Sequence, residues 1–248
     1  MKTKKKETKK MNEITKTKKN EVANLSPLAM DAYTRFKGST LNLVIPKILV
    51  KNDKSPHLDQ YEHLESGDIV ETLNYEVLGK LGERVKIVPF SSKSVWILTE
   101  VTKHGEEFAG FEDFTGEQLA YEEQVDSATL LKRTLGIQVL FLKCDDIAND
   151  MAMPYAFTFK KSSANAGKKL NTIMYVKNNM AGRAPWSSVI DFFSVERTHT
   201  KGTFFTVDIA QHMERSANEK EEKCAEYWYG KMVAGSITID ESTGEVVE

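Results

Sequence analysis

Short runs of β-branched and aromatic residues, separated by glycines, fill residues 67–143, and they constrain the fold more than any other feature of the chain. Runs of this kind favour strands, and the glycines between them favour turns. Strands are predicted at residues 68–78, 84–90, 94–102 and 136–143, with turn signals at Gly79, Gly82, Gly105, Gly110 and Gly116. The sequence therefore predicts a β-rich protein.

The second half of the chain continues this pattern and adds two helices. Further strands are predicted at residues 155–160, 188–197 and 203–208. Ser162 or Ser163 can cap a helix that carries Leu170, Ile173, Met174 and Lys177 on one side. Apolar residues at helical spacing predict a C-terminal helix over residues 210–234. We expect an α+β, β-rich domain spanning residues 25–235.

The two ends of the chain carry opposite charges. Residues 1–21 contain nine Lys and three Glu, and residues 1–24 lack a hydrophobic pattern, which predicts a disordered basic arm. A solubilising segment without a specific role is the alternative. Residues 236–248 contain four carboxylates and no base, which predicts an acidic tail that binds a partner. These carboxylates belong to Asp240, Glu241, Glu245 and Glu248.

Basic and aromatic residues are interleaved between Tyr155 and Phe205. This stretch holds eight Lys and Arg against two acidic residues, a local charge of +6, whereas residues 56–126 hold 16 acidic residues against five basic ones, a local charge of −11. Single-stranded nucleic-acid binders need basic groups for phosphates and flat rings for bases. The residues predicted to contact nucleic acid are Tyr155, Phe159, Lys160, Lys161, Lys168, Lys169, Lys177, Arg183, Trp186 and Phe193.

Other interpretations of the same stretch stay open. Its rings could form an ordinary core with lysines at the rim, since most aromatic residues in strands are buried. Trp186 lies in a loop-like segment beside Arg183, which favours an exposed stacking ring. Phe192 and Phe193 are adjacent, so in a strand one of them faces the core and the other faces outward.

Motifs for catalysis or cofactor binding are not found in the sequence. It lacks the phosphate-binding, dinucleotide-binding, nucleophile-elbow and zinc-protease patterns. His57, Asp59 and His63 fit a polar loop better than a metal site, and Cys144 and Cys224 fit free thiols. A nuclease would have to use the acidic cluster of Glu106, Glu107, Glu112, Asp113 and Glu117. We therefore expect a protein that is not an enzyme and that uses neither a cofactor nor a metal.

The chain has no apolar run of the roughly 18 residues that span a bilayer, and its basic N-terminus is not followed by the apolar segment of a secretory signal. We therefore expect a protein of the cytoplasm, without a membrane partner.

Three segments resemble phage-encoded single-stranded DNA-binding proteins with an oligonucleotide-binding (OB) barrel. They are residues 43–50 followed by Ser55-Pro56, residues 67–70 leading into Gly79 and residues 85–89, and residues 154–160 followed by Ser162, Ser163 and residues 167–171. The resemblance covers roughly residues 41–205 and implies a Greek-key barrel of five strands, here with extra strands and a C-terminal helix.

The resemblance also implies a function. It implies non-sequence-specific binding of single-stranded DNA in phage replication or recombination, in the cytoplasm of the host cell. It further implies recruitment of replication proteins by the acidic tail, although this tail lacks a terminal aromatic residue. The alternatives are a virion or assembly component with no nucleic-acid role, and a small DNA-processing enzyme.

Overall fold

The computed structural model describes residues 43–52, 55, 58–200, 202–234 and 237–239. All of them belong to one unit that begins at Leu43. The basic arm predicted at residues 1–24 and the tail carboxylates of Asp240, Glu241, Glu245 and Glu248 lie outside the described residues.

Strands dominate the described part of the chain. They are β1 (Leu43–Ile45), β2 (Ile48–Val50), β3 (Ile69–Glu71), β4 (Val77–Gly79), β5 (Val85–Thr102), β6 (Gly105–Asp113), β7 (Glu122–Gln124), β8 (Leu130–Lys143), β9 (Pro154–Lys160), β10 (Ser188–His199), β11 (Gly202–Ile209), β12 (Arg215–Ser216) and β13 (Ile237–Ile239). The helices are α1 (Cys144–Ala148), α2 (Ala164–Asn171), α3 (Asn178–Met180) and α4 (Glu219–Val233). A 3₁₀ turn (Lys161–Ser163) precedes α2, and a π-helical turn (Thr172–Lys177) joins α2 to α3.

Five antiparallel strands form the central sheet, in the order β11-β10-β5-β8-β9. Side chains on these strands alternate between two buried faces. The inner face carries the aromatic residues of β9 and is covered by α2, the π-helical turn, β2 and β3. The outer face carries Val88, Phe90, Leu140 and Leu142 and is covered by α1, α4 and β1. The sheet is therefore the middle of three layers.

The two longest strands extend beyond this central sheet. The pairing of β9 with β8 ends at Gly136, which lies opposite Val95 on β5. Beyond that point β5 pairs with β6 and β8 pairs with β7. From Val95 to Thr102 the extension is about 23 Å long at 3.3 Å per residue. We call residues 94–135 the arm.

Two small sheets complete the described fold. β2, β3 and β4 form an antiparallel sheet, and β1 pairs in parallel with β13. β13 lies within the segment that the sequence predicts to be an acidic tail, so residues 237–239 pair with Leu43–Ile45.

The β-rich α+β prediction is confirmed, with corrections in detail. The strands predicted at 84–90 and 94–102 form one continuous strand, β5. The C-terminal helix begins at Glu219 rather than at residue 210, because the side chain of Asn218 accepts a hydrogen bond from the Glu221 amide, 3.0 Å away, and caps the helix there. Among the described strands, β9 and β11 remain the two edges of the central sheet and are not paired with each other, so a closed barrel is not formed.

Candidate nucleic-acid interface

The aromatic residues of β9 lie in the core rather than on a binding surface. Tyr155 and Phe159 are only 7% and 1% exposed, and both face the inner core together with Phe157 and Phe192. The rings of Phe157 and Phe192 lie 5.3 Å apart, edge to face. The prediction that Tyr155 and Phe159 contact bases is therefore corrected, because α2 and the sheet cover the face to which they point.

Tyr155 reaches a polar group at the edge of this core. Its hydroxyl donates a hydrogen bond to Asp146 Oδ2 at 3.0 Å. Burial, and then the neighbouring Asp146 carboxylate, raises the pKa of Tyr155. The phenol therefore stays neutral and acts as a structural donor.

The loop that precedes β10 is also held against the core. Trp186 is half-buried against the outer core, and its ring centroid lies 5.1 Å from that of Tyr229 on α4. Arg183 donates to Ser216 Oγ at 3.0 Å. Trp186 is thus not the exposed loop residue that the sequence suggested, because α4 supplies a packing partner 43 residues further along the chain.

Phe192 and Phe193 face opposite sides of β10, as expected for adjacent residues in a strand. Phe192 is 1% exposed in the inner core, whereas Phe193 is half-buried. The guanidinium of Arg84 lies 5.6 Å from the centre of the Phe193 ring. Phe193 thus already has a cationic partner within the chain.

The predicted lysines lie along one continuous segment that follows β9. Lys160 ends β9, and Lys161 is exposed with a φ of 43°. Lys168, Lys169 and Lys177 are exposed on α2 and the π-helical turn. The structure therefore leaves most of these lysines exposed on one segment, whereas it buries the rings of β9.

These lysines differ in their partners. Lys169 forms an ion pair with Asp208 at 3.0 Å, and Arg197 binds the same carboxylate at 2.9 Å. In contrast, no described carboxylate pairs with Lys168 or Lys177. These two ammonium groups are the ones best placed to meet a phosphate.

A shallow cleft lies beside Lys160 and Lys161, between the edges of β9 and β11. Asn52, which follows β2, closes its floor by donating from Nδ2 to the Phe205 carbonyl at 3.0 Å and accepting from the Phe205 amide at 2.6 Å. The hydroxyls of Ser162 and Thr206 meet at 3.1 Å on the opposite side. The space measures about 100 Å³, well below the 300–1,000 Å³ typical of small-molecule pockets. The cleft therefore suits a group the size of a phosphate rather than an enclosed cofactor.

Sequence reasoning missed the contributions of Asn52 and Phe205 to this cleft. The two residues are 153 positions apart and belong to no motif. Phe205 lies in a predicted strand, but the spacing of nearby residues does not predict that Asn52 is its partner. The alternation along β11 was the only available signal.

Other chemistry is not indicated by the described residues. They hold no group of three or more His, Cys, Asp or Glu side chains arranged to bind a metal. Cys144 is buried, and this burial together with nearby Glu221 raises the pKa of its thiol to about 12. None of the described helices is both long enough and apolar enough to cross a membrane.

The comparison with protein-family models gives a match. The family model described as Pam3 phage gp34-like protein matches residues 17–238. Neither the comparison with curated proteins nor that with solved structures gave a match.

Proposed function

The chain belongs to the Pam3 phage gp34-like protein family, and for this phage protein we propose binding of single-stranded DNA, without sequence preference and without catalysis. The proposed setting is replication or recombination of the phage genome. Three steps support the proposal: the order of the central strands, the position of the exposed lysines and the chemistry of those lysines.

The strand order is the observation that carries the proposal. An OB fold is a partly open Greek-key barrel of five strands. Here β5 pairs with both β8 and β10, and α2 lies between β9 and β10. The third and fifth strands would be β9 and β11, the two edges between which the cleft lies. Five strands whose two edges are not paired with each other, among the described strands, are consistent with the partly open barrel on which the proposal rests.

The exposed lysines support a contact with phosphates. Lys161, Lys168 and Lys177 lie on the segment that follows β9, in the part of the chain with a local charge of +6. Lysine acts on phosphate as a point charge and does not read base edges as a bidentate arginine does. With the rings of β9 buried, affinity would come mainly from phosphate neutralisation.

Fluorescence anisotropy of a labelled oligo(dT) strand over a range of salt concentrations tests this function. Each phosphate contact on a single strand contributes about −0.7 to the slope of log affinity against log salt. The variant Lys161→Gln/Lys168→Gln/Lys177→Gln should therefore reduce the slope by about 2 if each lysine neutralises one phosphate.

A matched control removes the same charge from the other side of the sheet. Lys220→Gln/Lys223→Gln/Lys231→Gln alters α4, which packs on the outer face, whereas α2 covers the inner face. The control should keep the slope of the unmodified chain. Equal losses in both variants, tighter binding to duplex than to single strand, or no binding at low salt would each contradict the proposal.

A virion or assembly component is the second candidate, and the arm favours it. The arm continues past the point where the pairing of β9 with β8 ends, and it exposes large apolar side chains, including Tyr121 at 62% and Val125 at 58%. Contiguous exposed apolar surface is typical of protein–protein contacts, and these side chains are the candidates for such a surface. A chain that forms large assemblies and leaves oligo(dT) unbound would favour this candidate.

A further inference from the structure

The arm carries far more acid than base. Residues 94–135 hold nine Asp and Glu against three Lys and Arg, a net charge of −6. Two of its three basic residues already have partners within the arm. Lys132 pairs with Glu106 at 2.7 Å, and Arg133 pairs with Glu123 at 2.7 Å.

Several arm carboxylates remain without a cationic partner. Glu107 and Glu117 are exposed, and no described Lys or Arg forms an ion pair with them. Glu122 is exposed as well; it lies opposite Lys132 in the β7–β8 ladder, beyond ion-pair distance. They lie on β6, on β7 and in the connection between these strands. The arm therefore presents uncompensated negative charge.

The arm also offers backbone and apolar surface. Among the described strands, β6 pairs only with β5 and β7 only with β8, so each leaves one edge unpaired. An unpaired strand edge can bind another extended segment. Tyr121 and Val125 add exposed apolar side chains on either side of β7. An extended, basic peptide matches this combination of charge and free edge.

We propose that the arm binds residues 1–21 of a second copy of this chain. Those residues hold nine Lys and three Glu, a charge of +6 that balances the −6 of the arm. The exposed carboxylates and unpaired strand edges of the arm are accessible to a neighbouring copy. Each copy has one arm and one basic segment, so the contact is heterologous and can continue from copy to copy.

This self-association does not rest on DNA binding, and its test contains no nucleic acid. The full chain is studied by sedimentation velocity at low and high salt. One full-length variant replaces five lysines of the basic segment: Lys4, Lys5, Lys6, Lys9 and Lys10 become Gln. The other carries Glu107→Gln, Glu117→Gln and Glu122→Gln in the arm.

Association of the unmodified chain should be strong at low salt and weaken at high salt, because exposed charges are screened. Each variant alone should associate at least about tenfold more weakly, since each loses several surface ion pairs. An equimolar mixture of the two variants should restore a complex, because one retains an intact arm and the other an intact basic segment.

A control variant changes the same number of carboxylates outside the arm. Glu62→Gln/Glu76→Gln/Glu226→Gln should associate like the unmodified chain, and all variants should keep its circular dichroism spectrum. A chain that is monomeric at low salt would overturn the proposal, as would association that survives in either variant. A mixture that forms no complex would show that the segment does not bind the arm of another copy.

Discussion

The contact of α2 with β9 positions the lysine-bearing segment, and a substitution of Gly167 tests how closely the two elements pack. A β-carbon on Gly167 would lie 2.8 Å from Cβ and 3.0 Å from Cγ of Phe159, and 3.2 Å from Cδ1 of Ile137. The Cβ of Phe159 is fixed to the backbone of a central strand and cannot move aside. Gly167→Ala should therefore force α2 away from the sheet.

The magnitude follows from two opposing effects. Replacing a helical glycine by alanine gains about 1 kcal/mol in helix propensity. Overpacking a core typically costs about 1–3 kcal/mol, and the upper part of that range applies because the clashing atoms are fixed. We expect Gly167→Ala to lower the free energy of unfolding by about 1–2 kcal/mol.

Gly230 supplies the control, because it also lies in a helix but a β-carbon there would meet nothing within 4 Å. Gly230→Ala should raise the free energy of unfolding by about 1 kcal/mol. The two variants should therefore melt roughly 5–10 °C apart, as measured by urea unfolding and thermal scans that follow tryptophan fluorescence. Equal stabilisation by both substitutions would refute the close packing of α2 on Phe159.

Three further predictions concern other parts of the chain. Trp186→Ala should lower the free energy of unfolding by about 2–3 kcal/mol through the lost packing on Tyr229, seen in urea unfolding; a loss of oligo(dT) affinity at unchanged stability would contradict this. Cys144 should resist Ellman's reagent at pH 8 in the folded protein and react after unfolding, because its raised pKa of about 12 keeps the thiol protonated; rapid reaction in the folded state would contradict its burial. Deleting residues 240–248 should leave the melting temperature unchanged and tighten oligo(dT) binding at low salt, whereas deleting residues 237–248 removes β13 and should lower the melting temperature; equal melting temperatures would show that β13 adds no stability.

Local patterns in the sequence determined much of the secondary structure. Runs of β-branched and aromatic residues predicted β9, β10 and β11, and the serines after β9 marked the start of the helical segment, because each of these signals lies within a few residues of the structure it specifies. The predicted start of α4 was wrong because it depends on strand pairing between residues that are distant in the sequence. Arg215 pairs with Val189 and Ser216 with Ser188 on β10, 26 and 28 positions away, and this pairing keeps residues before Asn218 out of the helix.

Only the tertiary structure decided which predicted site residues reach solvent. Side chains alternate between the two faces of a strand, so the sequence predicts that Tyr155, Phe157 and Phe159 share a face. It does not predict whether a helix covers that face. It is the packing of α2 that buries Phe159 while leaving Lys168 exposed. Likewise, Asn52 meets Phe205 across 153 residues and Lys169 meets Asp208 across 39. Such contacts depend on how strands that are distant in the sequence pack together, and the local spacing of residues does not predict that packing.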